Sequence, residues 1–207
     1  MAKVAEVVPE EPQRMRMTWE EFRALPEGPP FYEFEDGEVI PVTRPHGRHQ
    51  QVLKRLLGVL DRHIVRHRLG EVWPEIDVEV GPGKVYSPDL VFLRREHLSR
   101  YSEEEGEIHG PPDLVVEILL PTTRRRDRIR KYQVYGEAGV EWYWLVDPDD
   151  LSLEEYQLTP QGYVGRGRVE AGEVFRPGLF PGLEINLQTL LAGRLEEAEG
   201  KGGTGGG

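Results

Sequence analysis

The chain has 207 residues, 38% hydrophobic and 30% charged, which suffices for one sizeable core and predicts one globular domain rather than two. It contains no cysteine, which excludes disulfides, thiolate zinc sites and cysteine nucleophiles and suits a reducing compartment. The net charge of −11 argues against a protein that coats nucleic acid through its overall charge, because such binding depends on Lys and Arg neutralising phosphates.

The two ends of the chain are predicted to lie outside the folded domain. Residues 1–16 mix Pro, Glu and Gln without periodicity and predict a flexible segment, and residues 199–207 predict a disordered glycine-rich tail. Residues 17–198 then form the single domain. No run reaches the roughly 18 apolar residues of a membrane span, and no signal peptide opens the chain, so we expect a soluble, cytoplasmic protein without a membrane partner.

Residue patterns predict the elements of the first half in order. A capping box indicates a short helix, and an Asp-Gly turn indicates a hairpin. Apolar residues at helical spacing then indicate a long helix, and two alternating runs indicate a second hairpin. These are the helix opening at Thr18-Trp19-Glu20-Glu21, the hairpin over residues 31–40 that turns at Asp36-Gly37, the helix over residues 49–69, and the hairpin made by residues 72–80 and 85–93.

The second half predicts a buried central strand, a helix and an aromatic strand. Residues 114–120 form a nearly continuous apolar run, typical of a strand buried on both faces, and a helix over residues 123–138 ends at Gly139. The remaining predicted elements are strands at 141–147, 153–158, 162–169 and 183–187 and a closing helix over 188–198. The fold class is therefore α/β (α+β), a mixed sheet flanked by helices with extra β-hairpins.

Two copies of Pro-Asp-Leu-Val each carry an aspartate, Asp89 in the first copy and Asp113 in the second. If their two strands are antiparallel neighbours, the start of the first lies beside the end of the second, which brings Asp89 close to Glu117. Asp113 lies roughly 13 Å from Glu117 along its own strand, at about 3.3 Å per residue. We therefore predict Asp89 and Glu117 as a pair and Asp113 as a strand-start residue.

Glu117 interrupts an apolar strand, where an ionised carboxylate is costly unless a charge or a metal ion compensates it. It is therefore either a functional carboxylate or half of a buried ion pair with a neighbouring arginine. Two residues later, on the same face, phosphodiester-cutting enzymes often carry a lysine, but this chain has Leu119. Lys131, on the following helix, is the predicted replacement, and a salt bridge to Asp127 is its alternative role.

Three residues are predicted accessories to this pair. Glu33 is a further carboxylate that can reach a metal ion, and His49 is a phosphate or proton contact at the start of the long helix. The ordinary alternatives are a solvated glutamate and a capping or packing histidine. Asp127 is the third, because it shares a helical stripe with Lys131.

Six of the eight residues from 124 to 131 are Lys or Arg, which makes this the one dense basic run of the chain. Arg124, Arg125 and Arg128 are the predicted nucleic-acid contacts, and a solvated helix face is the alternative. The aromatic run Trp142-Tyr143-Trp144 is interpreted as core or as a dimer interface, rather than as a platform for stacked bases.

Several motifs occur in a defined order and spacing over about residues 18–190. They are Leu25-Pro26-Glu27-Gly28, residues 32–38 (Tyr-Glu-Phe-Glu-Asp-Gly-Glu), His49, Ser87-Pro88-Asp89-Leu90-Val91, residues 112–123 around Glu117, Asp127 with Lys131 and Tyr135, and residues 139–147. In this order and spacing the motifs resemble the Uma-type (Uma-two) family of restriction endonucleases. No single motif carries the resemblance.

The resemblance implies a branch of the PD-(D/E)XK nuclease superfamily, with a restriction-endonuclease-like mixed sheet that holds a metal ion at its splayed end. Asp89 and Glu117 would be its two carboxylates, and the lysine would have migrated to Lys131. This chain differs from the family pattern at Leu120 and Thr122, where small hydroxyl residues are more common. We therefore expect the loop after the strand to contact the substrate differently.

The residue types predict the chemistry. Asp89, Glu117 and the carbonyl oxygen of Ile118 are hard oxygen ligands suited to Mg²⁺ or Mn²⁺. We predict a metal-dependent endonuclease that hydrolyses phosphodiester bonds in DNA, with Lys131 as its third catalytic residue, and a homodimer or higher homo-oligomer. The alternatives are an inactive nucleic-acid-binding or regulatory module on the same fold and a hydrolase of small phosphate esters.

Overall fold

The computed structural model describes residues 15–26, 30–42, 47–121 and 124–192. Within these residues the chain forms strands that belong to two mixed sheets. The strands are β1 (Met15–Arg16), β2 (Phe31–Glu35), β3 (Glu38–Val42), β4 (Gly70–Pro74), β5 (Asp77–Gly81), β6 (Lys84–Tyr86), β7 (Leu90–Arg94), β8 (Tyr101–Ser102), β9 (Glu107–His109), β10 (Leu114–Ile118), β11 (Trp142–Asp147), β12 (Ser152–Thr159) and β13 (Gly162–Val169).

The helices agree closely with the sequence patterns. They are α1 (Trp19–Arg23), α2 (Arg48–His67), α3 (Arg124–Arg126), α4 (Tyr132–Ala138) and α5 (Leu187–Leu191), together with a 3-10 helix (Arg95–Arg100) and a π-helical segment (Asp127–Lys131). The capping box of Thr18 and Glu21 opens α1 as predicted. Helix α3, the π-helical segment and α4 follow one another without a break and end at Gly139, which has a left-handed φ of 91°. No helix within the described residues is both long and apolar enough to cross a bilayer.

Strand β10 lies in the middle of the six-stranded sheet, whose order is β13-β12-β11-β10-β7-β4. It pairs antiparallel with β7 and parallel with β11, and the helix from α3 to α4 makes the crossover between the parallel strands. All five residues of β10 are buried, as the apolar run predicted. The seven-stranded sheet has the order β1-β3-β2-β6-β5-β9-β8 and contains the predicted hairpin of β2 and β3.

The second predicted hairpin is wrong in one respect, because each of its long strands is divided between the two sheets. Strands β5 and β6 pair in the seven-stranded sheet, whereas β4 and β7 pair in the six-stranded sheet. The breaks fall near Glu75, which has a left-handed φ of 48°, and at Pro88, which lacks the N–H that a continuous ladder requires. The divided hairpin joins the sheets and leaves Asp89 at their junction.

The end regions differ from the sequence-based expectations in three places. Met15 and Arg16, assigned to the flexible N-terminal segment, form β1 and pair with β3. The strand predicted at 183–187 is reduced to a single bridge between Phe175 and Ile185. Helix α5 replaces the first part of the predicted closing helix, and residues 193–207 lie outside the described residues, as do residues 1–14.

The core lies on both faces of the six-stranded sheet. On one face α2 and α5 cover alternate residues of β10, namely Leu114, Val116 and Ile118. On the other face α4 and strands of the seven-stranded sheet cover Val115 and Leu119. Because side chains alternate along a strand, Glu117 points to this second face, into the space between the two sheets.

The aromatic residues of β11 belong to these cores. Trp142 and Trp144 pack on the first face and Tyr143 on the second. Because all three are buried within the chain, neither a base-stacking platform nor a dimer interface is formed by these side chains. Of the two roles expected for this run, the core role is the one that the fold assigns.

Candidate active site

Asp89 and Glu117 lie opposite each other, because Leu90 pairs with Val116 in the antiparallel ladder of β7 and β10. The Asp89 Oδ2 atom accepts a hydrogen bond from the Ile118 backbone N–H at 2.6 Å. This is the juxtaposition that the sequence predicted. Asp113, at the far end of β10, is held by the backbone N–H of Arg94 at 2.7 Å and by His97, so it is a structural strand-start residue.

Lys131 reaches this pair from the π-helical segment. Its Nζ atom lies 2.9 Å from Oε1 of Glu117 and 2.9 Å from Oε1 of Glu33, and 3.7 Å from Oδ1 of Asp127. The salt bridge to Asp127 therefore exists, but it is the longest of three contacts. A π-helical turn is wider than an α-helical turn and is frequent at functional sites. Here it holds Asp127 and Lys131 side by side, both of them buried.

Glu33 comes from β2, in the other sheet, and is only 1% exposed. Its carboxylate is bound by Lys131 and by the guanidinium of Arg126. Burial by itself raises the pKa of Glu33, but the charges of Lys131 and Arg126 outweigh burial and lower that pKa below its usual value. A solvated glutamate was the alternative at this position, and the burial of Glu33 excludes it.

Tyr135 is a residue of the site that the sequence motifs included without giving it a role. It lies one turn after Lys131, is fully buried, and donates its hydroxyl to Oε1 of Glu117 at 2.8 Å. Burial and the charge of Glu117 raise the pKa of Tyr135, so its hydroxyl stays protonated and acts as a donor. Oε1 of Glu117 thus accepts from both Lys131 and Tyr135.

His49 contacts Asp89 from the first turn of α2. Its Nε2 atom lies 3.1 Å from Oδ1 of Asp89, and the residue is only 4% exposed. Its Nδ1 atom is buried and has no hydrogen-bond partner among the described residues. The histidine therefore meets the site carboxylate and is neither a helix cap nor a purely apolar packing residue.

The three arginines predicted to contact nucleic acid do not lie together. Arg124 pairs with Asp147 at 2.8 Å, and Arg128 pairs with Glu154 at 2.9 Å, outside the cleft. Arg125 is exposed and lines the cleft, and it makes no ion pair within the described part of the chain. Instead, Arg126 and Arg130 enter the cleft and bind carboxylates of β2; the sequence run contained both but did not distinguish them.

The carboxylates face a cleft of about 1240 Å³ at the junction of the two sheets. Strands β2 and β3, the start of α2, the turn between β4 and β5, and the helix beginning with α3 all contribute to its walls. Among the described residues, ten Asp or Glu and five Lys or Arg line it. The cleft is thus acidic, and most of its cations are already bound to carboxylates.

The sequence model of the Uma2 family, described as "Putative restriction endonuclease", matches residues 19–188. The chain belongs to the Uma2 family. Its fold is similar to the crystal structure of a "putative nuclease belonging to DUF820" from Anabaena variabilis, with a TM-score of 0.68 and 24% identity over 85% of this chain and 98% of that chain. No curated protein matches the chain. The family predicted from the motifs and the restriction-endonuclease-like mixed α and β fold are confirmed.

The donor set of this Uma2 chain fits a small divalent cation. Asp89, Glu117 and the Ile118 carbonyl offer only hard oxygen atoms, which Mg²⁺ and Mn²⁺ prefer, and Mg²⁺ usually keeps several waters and takes only one or two carboxylates. The described residues contain no group of three or more His, Cys, Asp or Glu arranged to hold a metal ion. The two carboxylates of Asp89 and Glu117 suit an ion that retains much of its hydration, not a closed protein cage.

Burial acts in opposite directions on the acid and the base at the centre of the Uma2 site. Burial raises the pKa of Glu117 to about 8, although the adjacent ammonium of Lys131 acts in the opposite direction. Burial alone would lower the pKa of Lys131, but Glu117 and Glu33 outweigh burial and raise it, so Lys131 is charged at neutral pH. A charged lysine stabilises negative charge and does not act as a general base.

Proposed function

We propose that this Uma2 protein is a metal-dependent endonuclease that hydrolyses phosphodiester bonds in DNA. The observation that carries the proposal is the convergence of Asp89, Glu117 and Lys131 on one cleft, although they lie on two strands and a helix. Lys131 supplies the ammonium that Leu119 cannot, because its Nζ atom lies 2.9 Å from Glu117. The missing lysine at position 119 is one of two sequence features that favour an inactive module on the same fold, and Lys131 answers it; the other is the acidic charge balance.

Each group at the site has a separate role in the proposed reaction. A divalent cation held by Asp89, Glu117 and the Ile118 carbonyl would neutralise phosphate charge and activate water. Lys131 would stabilise the negative charge that develops on the phosphate. Glu33 holds Lys131 in place from the opposite sheet, and His49 and Ile118 fix the carboxylate of Asp89. Burial of these groups strengthens each interaction.

A hydrolase of small phosphodiesters is the second candidate, favoured by one observation. Among the described residues the cleft is lined by more carboxylates than cations, and two of its arginines, Arg126 and Arg130, are bound to glutamates. A long phosphate backbone would be repelled by such a lining, whereas a single phosphodiester needs only the metal ion and Lys131. The two candidates share their chemistry and differ in the length of substrate that they cut.

A homodimer that cuts both strands of a duplex belongs to the proposal. Strand β11 is buried, so an interface has to use another surface, and β13 offers one because it is a largely exposed strand at the edge of its sheet. A supercoiled plasmid tests this, because paired sites convert it directly to the linear form, whereas a single site leaves nicked circles.

The decisive experiment measures cleavage of labelled single-stranded DNA, duplex DNA and a small chromogenic phosphodiester, each with Mg²⁺, Mn²⁺ or EDTA. The wild type is compared with Glu117→Gln, with Lys131→Ala and with Glu71→Gln, an exposed glutamate on β4 that serves as the control. We expect cation-dependent cutting of DNA that falls at least about 100-fold in the two site variants and stays unchanged in the control.

Each contrary result has one meaning. Cutting that survives in Glu117→Gln would be assigned to a contaminant, and the endonuclease proposal would fall. Cutting of the chromogenic ester alone, lost in both site variants, would select the small-ester hydrolase. Loss in Glu117→Gln but not in Lys131→Ala would keep the nuclease and remove Lys131 from its mechanism.

A further inference from the structure

The exposed face of α2 carries a straight row of arginines. Arg48, Arg55, Arg62 and Arg66 are all exposed. At about 100° per residue these positions fall within an arc of about 40°, so the four side chains form one stripe along the helix. The intervening exposed residues include Lys54 and a single acidic residue, Asp61. We call the four arginines the α2 stripe.

The four cations of the α2 stripe lie in one row and are not paired. None of the four arginines makes an ion pair or a side-chain hydrogen bond to another described residue. Outside α2, eight described arginines are bound to carboxylates: Arg23, Arg94, Arg124, Arg126, Arg128, Arg130, Arg168 and Arg176. In a chain with a net charge of −11, a row of unpaired cations is a concentrated positive surface.

The stripe begins at the cleft and leads away from it. Arg48 is the neighbour of His49, whose ring contacts Asp89 inside the cleft. Helix α2 has 20 residues and therefore runs about 30 Å, which corresponds to about nine base pairs of B-form DNA. A phosphate backbone entering the acidic cleft at one point would find its neutralising cations along α2 rather than in the cleft itself.

We propose that the α2 stripe binds the phosphate backbone of a DNA duplex whose scissile phosphate lies in the cleft. The inference rests on the proposed function for the identity of the partner, and on charge complementarity and continuity with the cleft for its location. Guanidinium groups contact phosphates independently of base sequence. The stripe therefore supplies affinity and position, and no sequence specificity.

The test is a binding measurement that does not require cleavage. Fluorescence anisotropy of a labelled duplex longer than α2 is recorded in EDTA at increasing salt for the wild type and for Arg55→Gln/Arg62→Gln/Arg66→Gln. We expect affinity at low salt to fall on the order of 10- to 100-fold, and the slope of log K against log salt to become shallower by about 2 to 3. The triple lysine variant at the same positions should bind like the wild type.

A second triple variant carries the same change of net charge away from α2. Arg95→Gln/Arg166→Gln/Arg176→Gln removes three exposed arginines from other elements and should leave affinity and salt slope nearly unchanged. Equal losses in both triple variants would reduce the effect to overall charge and overturn the stripe. Unchanged DNA binding in the α2 variant would also overturn the proposed role of the stripe. The same holds if the α2 variant loses affinity for anionic lipid vesicles while its DNA binding does not change.

The cleft variant separates this proposal from the proposed function. Glu117→Gln should lose cleavage and keep stripe-dependent binding, whereas the α2 variant should lose cleavage of long DNA at low enzyme concentration and keep cleavage of the chromogenic ester. DNA binding that depends on the stripe, without any cleavage, would support the proposed role of the α2 stripe and contradict the proposed endonuclease. Cleavage of DNA without stripe-dependent binding would support the endonuclease and contradict the role of the stripe.

Discussion

At the scale of single residues, the two oxygens of Glu117 are not equivalent. Oε1 accepts from the ammonium of Lys131 at 2.9 Å and from the hydroxyl of Tyr135 at 2.8 Å. With both donors on one oxygen, the carboxylate is fixed in rotation and Oε2 is the oxygen available to a cation. Groups that orient a metal-binding carboxylate in this way contribute to affinity and activity although they do not touch the metal.

Removing the Tyr135 hydroxyl should therefore weaken the site without dismantling it. We expect Tyr135→Phe to lower DNA cleavage about 10- to 100-fold and to raise the Mn²⁺ concentration needed for half-maximal activity. The control is Tyr163→Phe, which deletes a hydroxyl that donates to the Val140 carbonyl at 2.7 Å, away from the cleft. Both changes should cost about 1 to 2 kcal/mol of unfolding free energy, so stability alone cannot separate them. A cleavage rate that fell equally in both variants would show that Tyr135 acts only through stability.

The site was predictable from the sequence only as far as local rules reach. The pairing of Asp89 with Glu117 follows from the register of two neighbouring strands. The role of Lys131 follows from the lack of a lysine at position 119 and from the helical stripe that it shares with Asp127. The burial of Glu33 does not follow, because it depends on how β2 of one sheet meets a helix that packs on the other. Arg126 and Arg125 are adjacent in one basic run, and only the tertiary structure shows that Arg126 binds Glu33 while Arg125 stays unpaired among the described residues.

At the scale of elements, two glycines differ in the space that the fold leaves for a side chain. Gly70 opens β4 with a φ of +155°, and a Cβ atom there would lie 1.9 Å from the Leu93 carbonyl oxygen of β7. Since this neighbour is backbone in the adjacent strand, it cannot move without disturbing the ladder. Gly58 differs, because it lies on the exposed face of α2, where a Cβ atom would have no neighbouring atom within 4 Å beyond its own helix backbone.

The two glycines should respond to alanine with opposite signs. Gly70→Ala is expected to lower the unfolding free energy by about 3 kcal/mol or more, through the clash between β4 and β7. Gly58→Ala is expected to raise it by about 0.5 to 1 kcal/mol, because alanine restricts the unfolded chain and favours the helix. Urea denaturation of both variants measures the two effects. A stable Gly70→Ala protein would mean that the close approach of β4 and β7 is absent in solution.

The elements that the sequence misjudged depend on features that local residue patterns do not reveal. The alternating runs over 72–80 and 85–93 are correct as strand patterns, yet alternation does not reveal to which sheet a strand belongs. Glu75 and Pro88 interrupt the ladders, and the chain changes sheets at these points. The predicted strand at 183–187 has one backbone bridge and no continuing partner, which composition cannot show. The helix over 123–138 was located correctly, but its π-helical centre was not foreseen.

At the scale of the whole molecule, the two sheets share one apolar cluster. Val78 and Ile108 of the seven-stranded sheet pack in the same cluster as Val115 and Leu145 of the six-stranded sheet, and all four are buried. A cluster that draws residues from both sheets couples their stabilities, because neither sheet can open without exposing the apolar surface of the other. The proposal of a single domain over the folded part of the chain rests on this coupling.

Coupled sheets should unfold in one transition. Far-UV circular dichroism follows both sheets. In a Trp19→Phe background the tryptophan fluorescence follows the six-stranded sheet, because Trp73, Trp142 and Trp144 lie in β4 and β11. The two urea curves should therefore coincide in midpoint and slope. Ile108→Ala truncates the shared cluster from the seven-stranded side and should cost about 2 to 5 kcal/mol. Because the cluster is common, this variant should move the fluorescence signal as far as the circular dichroism signal. If the fluorescence midpoint stayed in place while the circular dichroism curve divided into two steps, the sheets would be independent units and the cleft between them would be an interdomain cleft.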